Sequence, residues 1–183
     1  MTVKDCIKTA ATELGISELV NGYLDAQESE GEKVVQLLLQ CYNIVENELA
    51  LDYLPLMAED EVETATGVVD FSVLKNDAVR IVKVRDSFGD AVKYKLFPKY
   101  LKTQPGRIAI VYTYTPKDKG VDAESECALS VSARLVSYGI AAEYCLHMGL
   151  YEEAAVWDKK YKGAIEAAYK ATPCKRIQSR RWA

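Results

Sequence analysis

Chemistry in this chain would have to pass through very few side chains. His147 is the only histidine, so a Ser–His–Asp triad or a Cys–His dyad would need it as the general base. The nearest thiol, Cys145, is two residues away on the same helical stretch, where side chains point about 200° apart. No partner stands at a usable spacing, and His147 beside Met148 reads as an ordinary helix-end histidine. Neighbouring carboxylates occur at Glu59-Asp60-Glu61 and Glu152-Glu153. Both groups read as solvated, the second at a helix start where the dipole favours acids. The five cysteines, Cys6, Cys41, Cys127, Cys145 and Cys174, are spaced 35, 86, 18 and 29 apart with no CxxC. An odd count closes no disulfide set, and with one histidine this pattern does not supply a zinc site. They read as reduced, mostly buried thiols in a reducing compartment. No acidic spacing matches an EF-hand loop, and there is neither GxxxxGK[ST] nor GxGxxG. Gly67, Gly89, Gly106 and Gly120 read as turn residues. The expectation is no catalytic residue, no metal and no cofactor.

Binding signals are stronger. Twelve tyrosines stand against three phenylalanines and two tryptophans, and a ring with a polar tip suits sheets and interfaces alike. Charge is uneven. Asp25 to Glu63 holds 11 acids and one lysine, whereas the last ten residues hold Lys175, Arg176, Arg180 and Arg181 with no acid. Overall the net charge is −4, with 49% hydrophobic and 27% charged residues over 183 positions. That composition excludes a disordered or low-complexity chain, and its sign argues against broad binding to nucleic acid or anionic lipid. The first 14 residues are interrupted by Lys4, Asp5, Lys8 and Glu13, so no signal-peptide core is expected. Unbroken apolar runs fall far short of the roughly 20 residues that span a bilayer.

The elements that must position these residues change period twice. Thr2 caps a first helix with Asp5 in its first turn, and Gly15 ends it. Ser17 starts a short second helix through Leu24. Ser29 and Glu32 have capping-box spacing ahead of a stripe of Val34, Leu38, Cys41, Val45 and Leu49, widened by Val35 and Tyr42. Pro55 ends that helix. Alternation of period two follows in Glu61–Thr66, Val79–Val84, Ala91–Phe97 and Arg107–Thr115, separated by turns at 86–90 and 105–106, which predicts an antiparallel meander, sandwich or small barrel. A helix from Asp122 to Met148, with stripe Leu129, Ala133, Val136, Ile140 and Tyr144, and a second one carrying Ala154, Trp157, Tyr161, Ile165 and Ala168, form a hairpin across Gly149 that Pro173 closes. The predicted fold is α+β in a single domain. Residues 1–55 and 121–172 form an antiparallel helical bundle, 56–118 are a β insertion, and 173–183 are a basic arm.

Three stretches carry a family resemblance. Gly106-Arg107 through Tyr112-Thr113-Tyr114-Thr115-Pro116 is similar to the last strand and exit turn of the β region in head-to-tail connectors of tailed bacteriophages, the adaptor or head-completion proteins below the portal. Leu135-Val136-Ser137-Tyr138-Gly139-Ile140-Ala141-Ala142-Glu143-Tyr144, with Gly149 and Glu152-Glu153-Ala154, resembles their closing helical hairpin, and Arg180-Arg181-Trp182 resembles a terminal motif. The resemblance implies a virion structural protein, made in the host bacterial cytoplasm, that forms a ring below the portal, usually of twelve copies. The ring extends the DNA channel, double-stranded DNA passes without specific binding, and a neck or tail protein docks next. The residues of the arm themselves point to portal docking through Arg176, Ile177, Arg180, Arg181 and Trp182: the arm follows the Pro173 stop, Ile177 and Trp182 are apolar with little core to reach, and Arg and Trp are types enriched where interface energy concentrates. Self-repelling acidic subunits should close the ring only on the portal. A different class, a prophage regulator or small enzyme that holds nucleic acid through the same tail, is the alternative.

Overall fold

The computed structural model describes residues 1–26 and 28–171. It is α+β, and the described residues divide into two compact units: Met1–Val45 together with the chain from Lys119 onward, and Glu46–Asp118 between them.

The helical unit begins with α1 (Val3–Glu13). The Thr2 hydroxyl accepts from Asp5 N at 3.1 Å and the Asp5 carboxylate accepts from Thr2 N at 3.3 Å, a reciprocal cap on the first turn. Val3, Cys6, Ile7, Ala10 and Ala11 are buried at helical spacing. α2 (Ser17–Ala26) is tied to α1 by Lys4 and Lys8 on Asp25. A 3-10 turn at Ser29–Gly31 leads into α3 (Glu32–Glu48). Gly31 is buried there and must be glycine, because a Cβ would strike the Leu19 carbonyl and sit 2.8 Å from Tyr23 Cβ. The stripe of α3 is carried by Val35, Leu38, Cys41, Tyr42 and Val45, so Val35 rather than Val34 faces inward. α4 (Ala133–His147) and α5 (Tyr151–Ala171) pack on each other, and α1 packs on α4. Gly149, at φ 75°, makes the joint: Met148 N bonds to Tyr144 O and Leu150 N to Cys145 O, closing the end of α4. On α5, Ala154, Tyr161, Ile165 and Ala168 are buried and Trp157 is half-buried, the face expected from spacing.

The predicted helix from Asp122 is corrected. Residues 121–132 are irregular, and Leu129, placed on a buried stripe by periodicity, is fully exposed. The backbone explains it. Val3 N donates to Ala123 O, Ser125 N donates to Met1 O, and Thr2 pairs with Glu124 as an antiparallel bridge. Amides and carbonyls spent sideways cannot close helical turns. The helix begins where the Ser132 hydroxyl accepts from Leu135 N at 3.2 Å.

In the second unit, the chain leaves α3 through a π turn at Leu49–Tyr53. Six strands follow: β1 (Leu56–Thr64), β2 (Val68–Asp70), β3 (Ala78–Asp86), β4 (Lys95–Leu96), β5 (Tyr100–Lys102) and β6 (Gly106–Tyr114). They form two antiparallel three-stranded sheets, ordered β1-β6-β3 and β2-β5-β4. The expected meander or small barrel is therefore corrected on two counts. No barrel closes, and the last strand lies between the first and the third instead of beside its sequence neighbour. The expected strand Ala91–Phe97 shrinks to Lys95–Leu96, and the first strand starts five residues earlier than Glu61. Val69, Leu74, Ile81, Val84, Leu101, Ile108, Ile110 and Tyr112 from both sheets make one core. Fully burying a side chain such as Ile108 is worth about 1.5–3 kcal/mol, and the central β6 buries Ile108, Ile110 and Tyr112 against Ile81 and Val84 from β3. Strict alternation fails in β3: register shifts at Ala78/Arg80 and Ile81/Lys83 bring Ile81 and Val84, three apart, to the same core.

Candidate functional site

Two surfaces, one in each unit, gather side chains suited to recognition. On the hairpin, α4 presents Arg134 and Tyr138 one turn apart, and α5 presents Trp157 and Lys160. Arg134 Nε donates to the Tyr138 hydroxyl at 2.6 Å, and its guanidinium stands 5.6 Å from the centre of that ring. The Lys160 ammonium lies 3.8 Å from the Trp157 ring centre and 5.8 Å from that of Tyr138, and the two rings are 5.8 Å apart. Both cations are exposed and both rings half-buried. The rings thus hold the cations over their faces, each contact worth about 0.5–1 kcal/mol at an exposed site. Such a patch offers planar apolar area and positive charge together, the combination that anchors partner proteins.

The second surface is the outer face of the β1-β6-β3 sheet. Odd-numbered residues of β1 and β6 point outward, and the register sets them in rows: Glu59 opposite Val111, which is opposite Lys83; Glu61 opposite Ala109, which is opposite Arg85. Glu63 stands opposite Arg107, and Arg80 opposite Thr113. One edge strand is therefore acidic, the middle small or apolar, and the other edge strand basic. Arg107 in the middle reaches Glu61, and this carboxylate holds the guanidinium pKa above its usual value, with Glu63 adding to it.

The inner face of the same sheet carries a feature that sequence reasoning missed. Adjacency groups Asp60 with Glu59 and Glu61 as a solvated carboxylate, an expectation the structure corrects. Glu59 and Glu61 are exposed, but Asp60 is only 5% exposed. Its Oδ2 accepts from the Tyr112 hydroxyl at 2.7 Å and from Lys75 N at 2.8 Å, and Lys75 Nζ lies 3.3 Å from Oδ1. Asn76 N in turn donates to the Tyr112 oxygen at 3.2 Å. Burial by itself would raise the carboxyl pKa; the donors from Lys75 and Tyr112 outweigh it and hold the pKa below the ordinary value. Burial and the bond to Asp60 push the Tyr112 phenol up. The signal was available: Asp60 shares strand parity with Val62 and Thr64, the inward face.

The other residues singled out from sequence fall as follows. Cys145 is fully buried, its thiol pushed up by burial and by Glu153, whereas His147 is exposed with Nδ1 3.0 Å from Glu143 O. The two are not brought together. Cys41 is buried and pushed up to about 12 by burial and by Glu143. Glu152 and Glu153 are exposed in the first turn of α5. Among the described residues no group of three or more His, Cys, Asp or Glu could hold a metal ion, and no helix is long and apolar enough to cross a membrane. Cys174 and the arm residues Arg176, Ile177, Arg180, Arg181 and Trp182 lie outside the described residues. No protein-family model matches this chain, and no curated protein is significantly similar to it.

Proposed function

We propose that this chain is a neck subunit of a tailed bacteriophage: a structural protein that forms a ring below the portal, extends the DNA channel, and offers a docking surface to the next neck or tail protein. One observation carries the reading. The stretch that resembles the closing hairpin of head-to-tail connectors, Leu135–Tyr144 with Gly149 and Ala154, coincides with the α4–α5 hairpin. Gly139, Ala141, Ala142 and Ala154 are buried on these two helices, in a chain whose helical unit is interrupted by an antiparallel β unit. In this reading the N- and C-terminal helices close as one antiparallel bundle, and the basic arm, through Arg176, Ile177, Arg180, Arg181 and Trp182, docks on the portal. The net charge of −4 suits a channel wall that lets DNA pass.

Co-purification of the full chain with its cognate portal, followed by electron microscopy, tests the reading. A ring of density below the portal is the expected result, and deletion of residues 176–183 should abolish it while leaving helical content and melting temperature nearly unchanged. Failure of the full chain to bind the portal, together with tight and salt-sensitive binding to duplex DNA, would instead favour the nucleic-acid regulator. Portal binding of undiminished affinity after the deletion would remove the arm from the interface.

A further inference from the structure

Strand β1 carries Glu59, Glu61 and Glu63 outward and no base, and β3 carries Arg80, Lys83 and Arg85 on the same face. These strands flank β6, so the two stripes lie about two strand spacings, roughly 10 Å, apart. That is beyond the reach of an ion pair between row partners with extended side chains held upright. Among the described residues, Glu59, Glu63, Arg80, Lys83 and Arg85 take part in no ion pair, and only Arg107 crosses part of the gap, to Glu61. Between the stripes Ala109 and Val111 are half-exposed. β1 and β3 are the outer strands of their sheet, although residues 90–92 fold back on β3, where Val92 N donates to Val84 O and Asp86 N to Asp90 O, so of the three bases Arg80 and Lys83 stand clear of that turn.

We infer that this face is a head-to-tail contact between copies of this chain, the acidic side-chain stripe on β1 of one copy lying against the basic stripe on β3 of the next. The occupant follows from charge order. A nucleic acid or any uniformly acidic partner is repelled by the three glutamates, and a uniformly basic one by Arg80, Lys83 and Arg85. A second copy carries both stripes, in an order that places unlike charges together. Because the two patches are different surfaces, the contact is heterologous and propagates: each terminal copy keeps one acidic or one basic stripe unmatched until a rotation closes the series. Closure into a ring rests on the neck reading; the stripe-to-stripe contact itself does not.

The test uses the full chain, an equal mixture of isotopically light and heavy protein, and a zero-length carbodiimide that couples amines to carboxylates, with and without portal. The expected product is a ladder of dimer, trimer and higher species. Mixed-isotope peptides should join Lys83 to Glu59, Glu61 or Glu63. The variant E59K/E61K and the variant K83E/R85E should each weaken association at least about tenfold, since like charges then meet. Combining all four substitutions should restore association among swapped copies, which should not co-assemble with the unaltered chain; that recovery also separates interface loss from misfolding. Products that stop at dimer would overturn the inference in favour of a two-fold face-to-face pair, which also opposes unlike charges. Reversals that change association less than about twofold would overturn it too. If the chain binds portal and the reversed variants bind equally well in equal number, the inference fails and the neck reading stands. If the ladder forms and responds to reversal but no portal binding occurs, the neck reading fails and the inference stands.

Discussion

Replacing Asp60 separates a structural carboxylate from a surface one. Asp60→Ala leaves the buried Tyr112 hydroxyl without the acceptor it now has at 2.7 Å and Lys75 N without one at 2.8 Å. An orphaned donor costs about 1–3 kcal/mol, and Lys75 N is only part-buried, so about 3 kcal/mol in total is expected. The Lys75 ammonium adds little, because its side chain is 81% exposed. Asp60→Asn can keep an oxygen at the Oδ2 position and lose only charge assistance, about 1 kcal/mol. Amide hydrogen exchange over β6 reads this locally: about a hundredfold faster for Asp60→Ala and about fivefold for Asp60→Asn, at roughly 1.4 kcal/mol per decade. Adding Tyr112→Phe to Asp60→Ala should cost less than the sum of the two single changes, since the donor left orphaned is then gone. The pH dependence has a definite sign. The folded carboxyl pKa lies below its unfolded value of about 3.9, so the contribution is complete above about pH 5. As pH falls through 4 the unfolded chain takes up the proton first, and the contribution is gone below the folded pKa. The gap between the native chain and Asp60→Asn should therefore narrow on acidification. A cost below about 1 kcal/mol for Asp60→Ala, additivity with Tyr112→Phe, or a gap that ignores pH would refute the reasoning.

Two further outcomes bear on the helical unit. A Cβ on Gly139 would stand 2.8 and 2.9 Å from the Val45 methyls and 3.0 Å from Tyr161 Cε2; overpacking of about 1–3 kcal/mol outweighs the roughly 1 kcal/mol that alanine gains in helix propensity, so Gly139→Ala should lower the melting temperature by a few degrees, and adding Val45→Ala should recover part of it. Ser132→Ala should cost about 1 kcal/mol as a lost cap while Leu129→Ala stays within about 0.5 kcal/mol in the same thermal melts; a core-like loss of 2 kcal/mol or more at Leu129 would restore the longer helix.

Local rules determined much of this protein from the sequence alone. The Thr2 cap, the Gly149 stop and the spacing of Ala154, Tyr161, Ile165 and Ala168 act within one or two turns of chain, so the residues needed to read them are neighbours. The switch from period 3.6 to period 2 and back located the β unit for the same reason. The separation of Cys145 from His147 also followed from helix geometry. What tertiary structure decided involves partners distant in sequence. Residues 122–131 have a helical pattern, but Met1 and Val3 capture their backbone, more than a hundred residues away. Strand order was not legible, because alternation says which face is buried and nothing about which strand is adjacent; the central place of β6 is set by its hydrogen-bonded pairing to β1 on one side and β3 on the other. Bulges in β3 moved Val84 inward and left Lys83 and Arg85 on the outer face. Only that pairing set Glu59 and Glu61 across the sheet from two bases, and only the fold supplied Asp60 with the Tyr112 hydroxyl, 52 positions along the chain, that turns an apparently solvated acid into a buried one.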